Sequence, residues 1–375
     1  MIKIAMGVSD FALPAPRRGS IDSQSGLGRG PEIGLEIHQE IQAARTKEFS
    51  NYQAEVFVTH EFPIRDYVLE LRGRMDGVFA GITAGAAAGA EPKIEEIKST
   101  FNIYDLQRKF RDAGDEHPYC LQLKTYGYIY WLQNRVVPKL ILHLVSSRNR
   151  ESLDYELKLD VEKFEAYLQI RLEEVAQDAD LELKRIARRK KAVGKFAFPF
   201  AKPRTGQVEL IETIRQGMLE DRPMLLQAPT GLGKTVGVLY PALQEALTRG
   251  QRVIYATPKN SQHAVAEEAI EKLQAAGGKL KSLTITAKSK MCFKNEAICN
   301  PDYCEFAKDH YKKVADHKIA DQLRSKRKLT AQSFKKIAQK YEVCPFEIQL
   351  DAAVDADTII CDYNYVFATN TAFGS

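Results

Sequence analysis

Three groups of residues in this 375-residue chain have the types and spacing for chemistry. The first is Gln227-Ala228-Pro229-Thr230-Gly231-Leu232-Gly233-Lys234-Thr235, set between the apolar Met224-Leu225-Leu226 and a helical pattern over 236–247. Gly231 and Gly233 can turn backbone N–H groups toward phosphate oxygens, Lys234 can reach the β- and γ-phosphates, and Thr235 can offer its hydroxyl to Mg2+. With Thr230 beside them, they form a candidate NTP site built as strand, loop and helix. The second group is Asp76, Glu96 and Lys98. Two carboxylates can hold Mg2+ or Mn2+, and a lysine beside them can favour a metal-bound hydroxide or steady charge on a phosphate. The third is Cys292, Cys299, Cys304 and Cys344, spaced C-x6-C-x4-C-x39-C. Four thiolates can hold a 4Fe-4S cluster or one Zn2+, and the x6 and x4 gaps fit poorly the close pairs usual at zinc.

Each group needs an element to aim it. The stretches 53–59, 67–79 and 93–99 read as strands, separated at 81–90 by a Gly/Ala-rich connection of flexible character. Strand side chains alternate faces, so Glu96 and Lys98 share one face of the third strand and Ile97 takes the other. Residues 34–47 and 121–132 have helical patterns, the second carrying Gln122 and Tyr126 at i,i+4 on one face, where they could contact a DNA backbone. A strand is expected over 139–145 and a long helix over 160–193. That helix ends in Lys184-Arg185-Ile186-Ala187-Arg188-Arg189-Lys190-Lys191, a run that suits either a solvated connector or nucleic acid. The cysteines sit in a Lys-rich, largely helical stretch whose Phe293, Tyr303, Phe306 and Tyr311 could be core or could stack on bases. Cys361 lies in an apolar strand and reads as core.

Composition narrows the class. With 44% hydrophobic and 27% charged residues and a net charge of +5, the chain is ordinary for a globular protein of two or three domains. No apolar run reaches the length of a membrane span, and the first 31 residues lack the apolar core of a signal peptide. The expected compartment is the cytoplasm, where six cysteines are thiols or metal ligands rather than disulfides.

Two family resemblances follow. Gly34 to His38, Gly73-Arg74-Met75-Asp76-Gly77, Glu96-Ile97-Lys98 and Gln122 with Tyr126, in that order, resemble the PD-(D/E)xK nucleases of the RecB type. The resemblance implies His38, Asp76 and Glu96 as metal ligands, Lys98 as the catalytic lysine, and Gln122 and Tyr126 as helix residues flanking the cleft. Some relatives carry an iron–sulfur cluster in this domain, but only Cys120 is present here. From about Phe198 onward the chain resembles the iron–sulfur superfamily 2 DNA helicases of the XPD and DinG type. Phe198-Pro199-Phe200, Arg204 and Gln207 match the adenine-contacting motif, with Gln207 the implied adenine contact. Tyr255-Ala256-Thr257-Pro258 matches a motif that meets single-stranded DNA. The segment 357–367, with Tyr363-Asn364-Tyr365, matches the strand shortly before that family's acidic motif. The cysteine spacing resembles the same family's 4Fe-4S domain.

The implied architecture is α/β. A flexible N-terminus at 1–30 leads to a restriction-endonuclease-like nuclease domain at 31–150 and a helical connector at 151–195. The first, RecA-like, parallel-sheet motor lobe follows at 196–375, interrupted by a cysteine-rich helical insert at about 288–346. The chain reaches Ser375 before any Asp-Glu-Ala-His motif or second lobe, so a longer protein with a C-terminal lobe is expected, and weak nucleotide binding and poor hydrolysis from this part. The resemblance implies 5′-to-3′ translocation on single-stranded DNA coupled to metal-dependent cleavage in DNA repair. Two alternatives stay open: a helicase with a catalytically silent N-terminal DNA-binding module, and a zinc-stabilised nucleotide-binding scaffold.

Overall fold

In the computed structural model of the chain, residues 1–13, 17, 19–21, 31–81, 91–113, 116–259 and 261–367 are described. They divide into two compact units, one of Met1–Arg17 with Gln24–Ala179 and one of Arg18–Ser23 with Asp180–Ser375. Most of the Gly/Ala-rich connection, 82–90, lies outside the described residues.

The first unit runs β1 (Ile2–Gly7), α1 (Val8–Phe11), α2 (Pro31–Glu48), β2 (Tyr52–Ile64), β3 (Tyr67–Phe79), β4 (Lys93–Thr100), α3 (Ile103–Ala113), α4 (Pro118–Asn134), β5 (Lys139–Ser146), β6 (Ser152–Leu157) and the first part of α5 (Val161–Ala192). Its six-stranded sheet has the order β1-β3-β4-β5-β6, with β2 also on β3. β3 pairs antiparallel with β4, Gly77 facing Glu95, and β4 pairs parallel with β5. A parallel pair needs a crossover, and here α3 and α4 make it. The crossover carries α4 over one sheet face, where Leu123, Ile129, Leu140, Leu142 and Met75 share a core with Phe164 and Leu168 of α5. α2 contributes Ile37 to a smaller cluster with Ile97 and Val145. Glu96 thus looks toward α4 and Ile97 toward α2.

The expectation of a flexible first thirty residues does not hold for 2–13. β1 pairs parallel with β3 from Ile2↔Tyr67 to Gly7↔Arg72, and Val8 and Phe11 are fully buried. Residues 2–7 add a strand to β3, and that backbone pairing, with the burial of Phe11, orders them.

The second unit contains the rest of α5, then α6 (Gln207–Leu219), α7 (Lys234–Thr248), β7 (Val253–Thr257), α8 (Ser261–Ala275), β8 (Ser282–Thr284), α9 (Lys288–Met291), α10 (His310–Asp316), α11 (Ile319–Arg324), β9 (Lys328–Leu329), α12 (Ala331–Tyr341), α13 (Pro345–Ala353), β10 (Thr358–Asp362) and α14 (Asn364–Phe367). Its sheet, ordered β7-β10-β8-β9, is parallel throughout. Leu239 and Leu243 of α7 and Ile270 and Leu273 of α8 pack with Ile360 of β10. Ile359 and Cys361 instead join Leu283 of β8, Phe334 of α12 and Ile348 of α13. Alternate residues of β10 thus feed two cores, as a parallel strand covered on both faces requires, and Cys361 is core as expected. The fold class is α/β, with a parallel sheet in the second unit.

Two expectations change here. Met224-Leu225-Leu226 does not form a strand, and Leu225 is fully exposed. Among the described residues this segment joins no strand ladder, and an apolar run without a ladder partner has no reason to become sheet. The basic run at the end of α5 is also not simply a solvated face. Arg185 pairs with Asp355 at 2.7 Å, Arg188 with Asp357 at 2.6 Å, and the buried Arg189 with Asp357 at 3.3 Å and Glu182 at 3.0 Å. The units divide at Ala179/Asp180, inside α5 and within the expected 151–195 connector, with the arginine-bearing turns tied to the second unit. Among the described residues no helix is long and apolar enough to cross a membrane.

Candidate functional sites

In the first unit the sheet brings Asp76 and Glu96 onto adjacent strands. The Asp76 carboxylate accepts the Ile97 backbone N–H at 2.7 Å and lies 3.7 Å from His38 Nδ1 on α2. Glu96 Oε1 accepts from Lys98 Nζ at 2.9 Å and from Gln122 Nε2 at 2.8 Å, and Lys98 also donates to Gln122 Oε1 at 3.0 Å. A closed triangle of glutamate, lysine and glutamine results. Glu96 Oε2 is buried and has no hydrogen-bond partner. Such an atom costs about 1–3 kcal/mol if nothing meets it, and a divalent ion is the ligand a buried carboxylate oxygen suits best.

Burial pushes the Glu96 carboxyl up to about 7; Lys98 draws it back and Asp76 adds to the rise. Burial acts against the Lys98 ammonium, but the charge of Glu96 and the hydrogen bond to it outweigh that, so its pKa stands above the ordinary lysine value. Lys98 is therefore a held cation and Glu96 a carboxyl that takes or loses its proton near neutrality. Among the described residues no three His, Cys, Asp or Glu side chains already meet at one ion position.

Gln122 and Tyr126 are buried, which removes the expected contact with a DNA backbone. Gln122 braces Glu96 and Lys98. Tyr126 donates its hydroxyl to the Arg74 carbonyl at 3.2 Å, and its ring fills the space over Gly73, where a Cβ would stand 2.4 Å from Cε1. Glycine at 73 lets α4 come down onto β3. Tyr119, not singled out from the sequence, places its ring 4.6 Å from Lys98 Nζ and is partly exposed at the edge of the site. Its position three residues before Gln122, on the same helical face, was the signal available.

In the second unit the candidate phosphate loop connects 224–226 to α7. Gly231 and Gly233 adopt φ of +84° and +81°, values that only glycine takes without strain. Lys234 Nζ donates to the carbonyls of Ala228 at 3.1 Å and Pro229 at 3.0 Å, so the lysine is folded back over its own loop. Thr230 and Lys234 are exposed, Thr235 half-buried. Gln207, buried at the start of α6, accepts from Arg204 N–H at 3.0 Å and donates to the Gly233 carbonyl at 3.2 Å, while the Arg204 guanidinium donates to the Gly231 carbonyl. Gln207 and Arg204 thereby brace the loop from outside.

The four insert cysteines line a single apolar pocket with Phe293, Phe306, Pro345 and Phe346. Cys299 and Cys304 are buried, Cys292 and Cys344 partly so. Burial lifts the Cys344 thiol to about 11. Lys288, which sequence reasoning passed over, lines the same pocket four residues before Cys292; burial opposes its charge, but Cys299 and the other acidic groups beside it hold its pKa above the ordinary lysine value. Phe293 and Phe306 pack on each other, centroids 4.8 Å apart, and both line this pocket, so they serve as core rather than as platforms for bases. The thiols share a pocket rather than a point.

Residues 204–328, all within the second unit, match the family model for DEAD/DEAH box helicases. Among solved structures, the protein SSO0001 is 16% identical, covering 45% of this chain and 73% of its own, with a TM-score of 0.28. An XPD helicase is 19% identical over 46% of this chain and 30% of its own, TM-score 0.35. A truncated XPD is 17% identical over 44% and 46%, TM-score 0.32. This chain spans less than half the length of either XPD chain.

Proposed function

We propose that the chain is part of a DNA helicase–nuclease, in which a divalent-metal-dependent phosphodiesterase of the PD-(D/E)xK type precedes the first motor lobe of an iron–sulfur helicase. The observation that carries the nuclease is the Glu96–Lys98–Gln122 triangle beside Asp76, with Glu96 Oε2 buried and unmet. On a solvated face each group would keep its own water; here Glu96 Oε2 is buried without a hydrogen-bond partner beside a second carboxylate, which supports a cation at this point.

Asp76 and Glu96, with His38, would hold Mg2+ or Mn2+, which supplies a water acidic enough to attack a phosphodiester. Lys98 presents a fixed positive charge where charge builds on the phosphate. Gln122 sets the spacing of Lys98 and Glu96, and the Ile97 N–H fixes one oxygen of Asp76 so that the carboxylate is oriented in advance. Tyr126 locks α4 against β3. In the second unit Thr230, Gly231, Gly233, Lys234 and Thr235 would take the phosphates and Mg2+ of ATP, with Gln207 toward the base. Cys292, Cys299, Cys304 and Cys344 would hold a 4Fe-4S cluster, since thiols around a shared pocket suit a multi-atom group better than one zinc ion. The partner is DNA, mainly single-stranded, with 5′-to-3′ movement and repair as the setting.

The test is cleavage of labelled single-stranded DNA with Mn2+ or Mg2+ and no ATP, comparing the parent with Lys98→Ala and Asp76→Ala. Cutting by the parent alone supports the nuclease. A folded, metal-replete parent that binds the strand without cutting makes the first unit a silent DNA-binding module.

A further inference from the structure

Residues 18–23 belong to the second unit, whereas the chain on both sides, Met1–Arg17 and Gln24–Ala179, belongs to the first. The described part of this excursion is fastened to the cysteine insert by three regularly spaced bonds. The Ile21 N–H donates to the Ala307 carbonyl at 2.9 Å, the Asp309 N–H donates to Ser20 Oγ at 2.9 Å, and the Tyr311 N–H donates to the Gly19 carbonyl at 3.0 Å. The partners alternate along 307, 309 and 311, as when one strand of backbone lies along another. Gly19 has φ of +79°, the left-handed conformation that glycine reaches freely.

The side chain that this fastening delivers is Ile21. It is 7% exposed, its buried neighbours are Cys299, Cys304 and Ala307, and it lines the same pocket as the four cysteines. A segment outside every helix and strand would ordinarily leave an isoleucine in water. Here it is inserted among thiols. Apolar side chains around a metal centre control the access of solvent and oxidant and the local dielectric.

We infer that Gly19-Ser20-Ile21 is a strap that closes the cysteine pocket, with Ile21 as the wall that shields the thiols and positions whatever group they hold. The shielding of the thiols stands without any cluster; the protection of a cluster rests on the reading that the cysteines hold one.

The experiment uses the full chain and its Ile21→Asp, Ile21→Ala and Ile21→Val variants, with circular dichroism to confirm folding. In the first arm, metal-free reduced protein is treated with iodoacetamide, and the modification of Cys299 and Cys304 is followed by peptide mass. Ile21→Asp should raise both rates about tenfold, Ile21→Ala by less, and Ile21→Val should match the parent. Parent-like rates in Ile21→Asp and Ile21→Ala would overturn the strap whatever the metal content. In the second arm, protein purified without oxygen is exposed to air, and the loss of visible absorbance and release of iron are timed. Faster bleaching in Ile21→Asp extends the strap's role to a cluster, and unchanged bleaching removes that role. A colourless, iron-free parent whose thiols are nonetheless exposed by Ile21→Asp would keep the strap and discard the cluster.

Discussion

Glu96 offers a test in which pH and metal must act against each other. Its carboxyl is 2% exposed and its pKa is raised by burial from the ordinary 4.5 to about 7. A carboxyl raised on folding contributes stability that is complete below pH 4.5 and lost as pH rises through 7, because above 7 the folded protein must keep a buried charge that the unfolded chain would solvate. A rise from 4.5 to about 7 corresponds to roughly 3 kcal/mol, so the metal-free protein should be less stable at pH 8 than at pH 5 by an amount of that order. A divalent ion reverses the sense, since it binds the ionised form and must displace the proton. Between pH 7 and pH 5.5 the apparent Mn2+ affinity should fall about tenfold per unit. The assay is urea denaturation of the chain at pH 5.5, 7 and 8, with and without Mn2+, alongside Glu96→Gln. Stabilisation by Mn2+ should grow with pH in the parent and vanish in Glu96→Gln. Equal Mn2+ stabilisation at pH 5.5 and pH 8, or its survival in Glu96→Gln, would refute Glu96 as the buried ligand.

Three further expectations rest on single features. Gly73→Ala puts a Cβ 2.4 Å from the Tyr126 ring; it should destabilise the first unit by about 1–3 kcal/mol in urea denaturation, and parental stability would show that α4 has room to retreat. Lys234→Ala should abolish binding of a fluorescent ATP analogue while shifting the denaturation midpoint little, because Lys234 is exposed and its partners are loop carbonyls. Asp357→Ala leaves Arg188 and the buried Arg189 without a shared carboxylate and should cost the second unit about 3–5 kcal/mol; a loss under 1 kcal/mol in calorimetry would mean that Glu182 and Asp355 compensate.

Much of the first site was legible because it is local. The two-residue period of a strand puts Glu96 and Lys98 on one face, and the four-residue period of a helix puts Gln122 and Tyr126 on another, so no long-range knowledge was needed to pair them off. What could not be read was which side chains the packing then enclosed. Tyr126 has the look of a cleft residue in sequence and is a wedge in the fold because Gly73, some fifty positions earlier, leaves it a slot. Ile2–Gly7 is a short apolar run whose partner, Tyr67–Arg72, lies sixty residues on, and parallel pairings of that reach have no local signature. Residues 224–226 show the opposite failure: apolar composition is a strand signal only where a neighbouring strand exists. Ile21 carried no signal at all, since a single apolar residue in a Gly/Ser-bearing stretch has no periodicity to betray it.

The pairing of the α5 arginines also bears on how this chain should respond to ionic strength. Of the six cations between Lys184 and Lys191, Arg185, Arg188 and Arg189 already neutralise Asp355, Asp357 and Glu182. A side chain spent in that way releases no counterions from a polynucleotide. The end of α5 can therefore add no more than the exposed Lys184, Lys190 and Lys191 to the salt dependence of any polynucleotide binding, a slope of about 3 on logarithmic axes. Counting charge along the sequence doubles that figure.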